Sequence, residues 1–300
     1  MNSLILPPLL IAFLSPLTYG LVNLIDKYIV TKKIHSPSSY TVVVGLTHII
    51  IGAIIASFLS WDGFTSSDLM LCTIVGALYG LQLLIYYVVF SEEDAANAVG
   101  LDHTYPLVVA VLAYTYLGES TGIAGYGGLA LILAGLILLS QRMLQVRPNV
   151  RLGLLAAMIC TTGVYEFAIK VSTISVPPLH TLALNSIVAG SVVCLLLLRR
   201  KTRRMLGAEL RNIGWAFTSE SLTVIAILCI IGAMGAFPAV LASAVTALQP
   251  LVVLIGERIL SYWHHEITRD KLLRPKLAAI LLVILGTLVM LVDHVVWGEN

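Results

Sequence analysis

Three ionisable side chains stand where the chain is otherwise apolar: Asp102 with its neighbour His103, and Glu166 inside "TGVYEFAIK" (Thr162 to Lys170). A charge at the centre of a bilayer costs about 2.5–3.5 kcal/mol on insertion scales, so such a group normally faces a bundle interior or a wet cavity and serves binding or proton transfer. Loss of solvent disfavours the charged form of a carboxyl, which makes Glu166 and Asp102, with His103, candidates for ion coupling. Glu166 has a cheaper explanation in an i, i+4 pair with Lys170. Such a pair contributes only tenths of a kcal/mol on a wet helix, however, and burying it seldom gains over apolar residues.

Other polar groups fall on common helix faces. Tyr19, Asn23 and Lys27 are spaced four apart, Tyr79, Gln82 and Tyr86 form an i, i+3, i+7 stripe, and Tyr165 flanks Glu166. Ser243, Thr246, Pro250 and Glu257 share a face with Gln249 beside it, Asn185 lies one turn from Thr181, and His48 stands alone. The candidate substrate-binding set is Glu166, Asp102, Tyr19, Asn23, Tyr79, Gln82, Tyr86, Tyr165 and Gln249. Rival structural roles exist. Lys27 sits at a span end, where it can snorkel. Tyr86 and Tyr87 suit an interfacial belt, His48 suits packing, Gly76 and Gly80 suit a close helix contact, and Pro106 and Pro250 suit kinks.

These residues need long apolar elements to position them. The chain of 300 residues is 58% hydrophobic and 11% charged, too little charge to cover a soluble domain of this size. A spanning helix needs about 20 mostly apolar residues and satisfies its own backbone in lipid. Ten such spans are expected, at roughly 4–26, 40–59, 69–90, 95–116, 122–140, 152–172, 181–198, 221–236, 239–257 and 277–292. The first reads as a retained span, not a cleaved leader. Short connections leave no room between the spans for a soluble catalytic domain. Cys72, Cys160, Cys194 and Cys229 all fall in spans without metal-ligand spacing and read as buried packing residues.

Basic residues in short loops stay cytoplasmic. Lys27, Lys32 and Lys33 follow the first span, Arg142, Arg147 and Arg151 the fifth, and Arg199, Arg200, Lys201, Arg203, Arg204 and Arg211 the seventh. Arg258, Arg269, Lys271, Arg274 and Lys276 follow the ninth, so 17 of the 18 basic residues share one side and Lys170 is the exception. With ten spans, that bias puts the basic loops in the cytoplasm and both termini outside it.

The two halves resemble each other. Setting Gly20 on Gly163 aligns "YGLVNLIDK" with "TGVYEFAIK", which puts Asn23 on Glu166 and Lys27 on Lys170. "YPLVV" at Tyr105 aligns with "QPLVV" at Gln249, and "LALILAGLILL" with "ILLVILGTLVML" around Gly135 and Gly286. Five spans is an odd number, so the second half enters the membrane inverted. The expected fold is therefore all-α and integral to the membrane, with ten transmembrane helices in two inverted five-helix repeats, residues 1–141 and 149–293.

With the glycine, polar residue and lysine that end spans 1 and 6, the prolines of "PLVV", and "LGE" at Leu117 to Glu119, the chain resembles the ten-helix, two-EamA-domain members of the drug/metabolite transporter superfamily. It departs from them where "LSYWHHEITRD" replaces a second "GE" ending, and in the orientation of its termini. The resemblance implies that helices 1, 3, 4, 6, 8 and 9 converge on one cavity. Inverted repeats place a substrate at their interface and expose it to alternate sides by rocking.

The expected function is a secondary active transporter of a small polar or cationic metabolite, such as an amine or amino acid, with a proton or another ion as coupling partner. The alternative is a flippase for a lipid or lipid-linked headgroup. Enzymatic chemistry finds no HExxH, GxSxG or paired histidine ligands in the spans. ATP-driven pumping finds no GxxxxGK[ST] loop. His264 and His265 beside Trp263 form no metal set. No cofactor, metal or nucleic-acid partner is expected; the partners are a small-molecule substrate and the lipid of a prokaryotic inner membrane.

Overall fold

A computed structural model of the chain describes residues 2–92, 95–139, 149–261 and 273–297. Arg142, Arg147, Arg269, Lys271, His264 and His265 lie outside the described residues, as does "YWHHEITRD". The described residues form helices throughout: α1 (Asn2–Lys32), α2 (Pro37–Ser57), α3 (Ser66–Glu92), α4 (Ala95–Asp102), α5 (Pro106–Leu112), α6 (Ile123–Leu139), α7 (Asn149–Ser175), α8 (Pro178–Cys194), α9 (Arg200–Glu209), α10 (Ile213–Ala236), α11 (Ala239–Thr246), α12 (Gln249–Ser261) and α13 (Leu273–Trp297).

The expected all-helical, membrane-spanning architecture is what the structure has, with two of the expected spans interrupted. Among the described residues eight stretches have the length and apolarity to cross a bilayer, and Ile123–Leu138 is a shorter apolar helix. The span expected at 95–116 is interrupted: α4, three turn residues, α5 and a single π turn at Ala113–Leu117. The span expected at 239–257 is likewise divided into α11 and α12. Two ends move as well, since α1 runs on past residue 26 to Lys32 and α10 starts at Ile213 instead of 221. Lys27 is therefore inside a helix, not at the end of one.

The outer surface is apolar. α1 turns Leu10, Leu14, Leu17 and Leu21 outward at helical spacing, and α13 does the same with Leu281, Leu285, Leu288 and Val292. This is the pattern of a lipid-facing wall, with the polar residues kept inside. Of the four cysteines expected to be buried, Cys72 and Cys229 are; Cys160 is exposed and Cys194 half-buried. A small side chain on a lipid-facing helix carries no cost in hydrocarbon.

Glycines set the closest helix contacts. In the packing of α2 on α8, a Cβ on Gly190 would run into the Gly45 carbonyl oxygen, and one on Gly45 would lie 3.0 Å from the Gly190 oxygen. In α6 on α13, a Cβ on Gly128 would lie 2.6 Å from the Gly286 oxygen, and one on Gly286 2.5 Å from the Gly128 oxygen. Gly20 faces Val252 of α12, while its sequence counterpart Gly163 faces Val108 of α5. Gly76 and Gly80 of α3 receive Val188 and Val192 of α8, a close helix contact as expected. Without a hydrophobic force between helices in lipid, this backbone approach supplies the van der Waals packing that holds the bundle.

Adjacent glycines on α6 give a test. Gly128→Ala places its methyl against the backbone of α13, whereas a Cβ on Gly127 meets nothing within 4 Å. Overpacking of this kind costs about 1–3 kcal/mol. Gly128→Ala is therefore expected to lower the melting temperature of the purified protein, with Gly127→Ala equal to wild type or above it. Equal melting of the two variants would contradict the α6–α13 contact.

Two rims close the bundle. At one, Glu209 of the basic helix α9 accepts hydrogen bonds from the backbone N–H groups of His35 (2.8 Å) and Ser36 (2.9 Å). Beside it the Lys33 ammonium sits 5.7 Å from the ring centre of Tyr28 and 5.9 Å from that of Trp215. At the other rim, Lys170 of α7 donates to the carbonyls of Met234 (2.9 Å) and Phe237 (2.8 Å) and lies 3.2 Å from Glu119. The pairing of Lys170 with Glu166 that the sequence offers is replaced by this clamp.

Candidate functional site

Prolines create the site. A proline has no N–H, and its ring collides with the carbonyl four residues earlier. Pro106 thus ends α4 at Asp102, and the Asp102 carbonyl instead accepts from the Tyr105 N–H at 3.0 Å in a tighter turn. Pro250 acts in the same way on Thr246, where α11 stops; the Leu248 N–H bonds the Val245 carbonyl at 3.1 Å. The expected kinks are therefore full interruptions.

The two interruptions touch. The Tyr105 hydroxyl hydrogen-bonds Thr246 Oγ1, and His103 Nε2 lies 2.9 Å from Gln249 Oε1. His103 Nδ1 is 2.8 Å from the Val99 carbonyl, which can only accept, so Nδ1 carries a proton. A neutral His103 then takes a hydrogen bond at Nε2 from the Gln249 amide NH2, while an imidazolium donates to its oxygen. The amide of Gln249 can follow either state by turning over.

Around this junction lies a cavity. Four acidic side chains line it, each less than a tenth exposed: Asp26, Asp102, Glu166 and Glu220. They form two pairs. In the first, Thr162 Oγ1 donates to Asp102 Oδ1 at 2.8 Å and itself receives Gln82 Nε2 at 2.9 Å. One turn beyond Thr162 on α7 comes Glu166, whose Oε2 is buried with no hydrogen-bond partner. In the second, Ser219 Oγ donates to Asp26 Oδ1 at 2.6 Å and the Tyr86 hydroxyl lies 3.2 Å from Asp26 Oδ2 and 3.0 Å from Asn23 Oδ1. Tyr87 donates to Glu220 Oε1 at 3.3 Å, and His48 Nε2 comes within 2.8 Å of Glu220 Oε2 without the alignment of a hydrogen bond.

Six tyrosines, Tyr19, Tyr79, Tyr86, Tyr87, Tyr105 and Tyr165, complete the lining together with apolar side chains such as Val22, Leu83, Met158 and Ile230. Tyr79 and Tyr165 stack at 5.1 Å. No lysine or arginine is among the described lining residues. A cavity with buried carboxyls, tyrosine faces and no cation attracts positive charge. It has no set of metal ligands either, since the described residues contain no cluster of three His, Cys, Asp or Glu that could hold an ion.

All ten residues that sequence reasoning singled out for binding or coupling line this cavity: Tyr19, Asn23, Tyr79, Gln82, Tyr86, Asp102, His103, Tyr165, Glu166 and Gln249. Tyr86 and Tyr87 therefore face inward and are not an interfacial belt. Thr181, Asn185, Ser243 and Glu257 are buried but do not line it, and His48 stands behind Glu220. Sequence reasoning missed Asp26, Glu220, Tyr87, Tyr105 and Thr162. The signal for Asp26 was in "YGLVNLIDK": it follows Asn23 by three residues and Tyr19 by seven, on their face.

The fold is a known one. A protein of known crystal structure superposes with a TM-score of 0.68 over 95% of this chain and 96% of that chain, at 19% sequence identity. No curated protein matches the sequence. The family model for EamA-like transporters matches residues 6–141, which carry α1 to α6. Over those residues, somewhat under half of its length, the chain is similar to EamA-like transporters of the drug/metabolite transporter superfamily.

Proposed function

We propose that the protein is a secondary active transporter of a small organic cation, an amine, working by alternating access between two inverted five-helix repeats. One observation carries the reading: four buried carboxyls and six tyrosines line a single cavity to which the described residues contribute no lysine or arginine. Glu166 Oε2 and Asn23 Nδ2 are buried there without partners, and a buried polar atom left unpaired costs about 1–3 kcal/mol unless something binds it. A bound ammonium supplies the missing donors to Glu166.

Alternating access is supported by the paired helix interruptions at Pro106 and Pro250 and by the reciprocal glycine contacts of α2 with α8 and α6 with α13. Discontinuous helices at a repeat interface are where such transporters hold their substrate. Coupling to a proton fits carboxyls that must be neutralised when the amine leaves. The basic rim, with α9, faces the cytoplasm in this reading and both termini lie outside it.

The test is a thermal-stability screen of the purified protein against amines, amino acids, nucleosides and sugars, followed by uptake into proteoliposomes. Amines are expected to raise the melting temperature and to be transported; stabilisation by sugars or nucleosides alone would defeat the reading. Stabilisation by phospholipid headgroups instead would favour a flippase.

A further inference from the structure

Resting on the reading of the cavity as a site for cations, we propose that its substrate carries two cationic centres joined by an apolar spacer and no carboxylate: a short linear diamine. The four carboxyls are arranged as two separate sites. Thr162, which bonds Asp102, lies one turn from Glu166 on α7, and Ser219, which bonds Asp26, adjoins Glu220 on α10. Helix α3 serves both, with Gln82 reaching the Asp102 pair through Thr162 and Tyr86 reaching the Asp26 pair. Gln82 and Tyr86 are four residues apart, about 6 Å of helix rise. An extended chain of four or five methylenes holds two ammonium groups about 6–7.5 Å apart by ordinary bond lengths.

What lies between the pairs suits methylenes. Tyr79 has His48, the neighbour of Glu220, on its edge at 5.5 Å and the Tyr165 ring, beside Glu166 in the chain, stacked at 5.1 Å. Its ring thus contacts a neighbour of each acidic site, and Leu83, Val22 and Ile230 add apolar lining. A monoamine answers one pair and leaves the other buried without a counter-charge, a costly arrangement in low dielectric. An amino acid fails differently, because the described lining offers no lysine or arginine for its carboxylate.

The experiment compares cadaverine, pentylamine and lysine by calorimetry and thermal shift on the full chain in nanodiscs. Pentylamine has the same carbon chain with one ammonium fewer; lysine is cadaverine with a carboxylate added. Cadaverine is expected to bind at least tenfold more tightly than either. Glu220→Gln is expected to bring cadaverine down to the level of pentylamine, and Asp26→Asn gives the same reading independently should Glu220→Gln fold poorly. Equal binding of pentylamine and cadaverine, or of lysine and cadaverine, overturns the two-centre proposal and leaves the cation reading standing. If none of the three binds, both fall.

Discussion

Glu166→Gln is expected to reduce amine transport at least about 30-fold while the protein inserts, folds and melts at the wild-type temperature or above. The two halves of that outcome have one cause. Removing one partner of a buried charge pair costs about 2–5 kcal/mol, and each 1.4 kcal/mol is a factor of ten, so substrate binding suffers strongly. The protein itself loses nothing, because Glu166 Oε2 has no hydrogen-bond partner within it. A neutral amide of the same shape instead removes a carboxyl that was buried at a cost. An inactive but undamaged variant separates a ligand-binding role from a structural one. Undiminished pH-dependent uptake in proteoliposomes would remove Glu166 from the mechanism.

Apolar runs and polar stripes carried most of the architecture in the sequence, and their failures were local. Hydropathy ends a span where a charge appears, because a charge in lipid is expensive. Applied to "LIDKYIVTKK", that rule stopped the first span at Asp26, although the helix continues to Lys32. Applied to "FTSESL", it started the eighth span at 221, one residue after Glu220, although α10 begins at Ile213. Both missed acids of the second pair are thus residues that the rule itself discards. They survive inside the helix bundle because Ser219, Tyr86 and Tyr87 donate hydrogen bonds to them. A buried charge with donors is tolerable, and donors on distant helices are invisible to a hydropathy window.

Glu166 and Asp102 were legible for the opposite reason. Both lie well inside an expected span, 95–116 and 152–172, so no boundary could absorb them, and the match of Asn23 to Glu166 marked the position as one where polarity is kept in either half. The depth of the interruptions was less legible. "YPLVV" and "QPLVV" announce a proline kink, but only the tertiary partners, Tyr105 with Thr246 and His103 with Gln249, hold the freed turns against each other in the cavity wall. Lys170 was misread for a related reason. Its nearest acid in sequence is Glu166, one turn away, while its partner in space is Glu119, 51 positions earlier by residue number.

Replacing Lys170 by Met is expected to destabilise the protein by about 1–3 kcal/mol and to open the rim opposite α9. The Lys170 ammonium holds together the end of α10, through the Met234 and Phe237 carbonyls, and Glu119, whose other oxygen accepts from the Ala239 N–H at 2.7 Å at the start of α11. A cation at a helix C-terminus and a carboxylate at an N-terminus both agree with the helix dipoles. Gly118 makes the geometry possible, turning the chain at φ +66° so that Glu119 reaches back to the clamp. Breaking a fully buried pair costs about 3–5 kcal/mol; here the two side chains are 14% and 22% exposed, so water recovers part of it. Glu119→Gln keeps an acceptor for Ala239 but loses the charge, and the double variant is expected to cost less than the sum of the two single ones. Under the alternating access proposed above, a contact made at one rim biases the protein toward the state closed there. Weakening it by 1.4 kcal/mol shifts that equilibrium tenfold. In a background lacking the four native cysteines, a cysteine at Thr223 in the cavity lining should react about tenfold faster with an impermeant maleimide supplied from the side of the termini when Lys170 is Met. Lys170→Arg, which keeps the charge and the donors, should restore the wild-type rate. Unchanged labelling together with an unchanged melting temperature would show that the clamp neither stabilises the rim nor gates it.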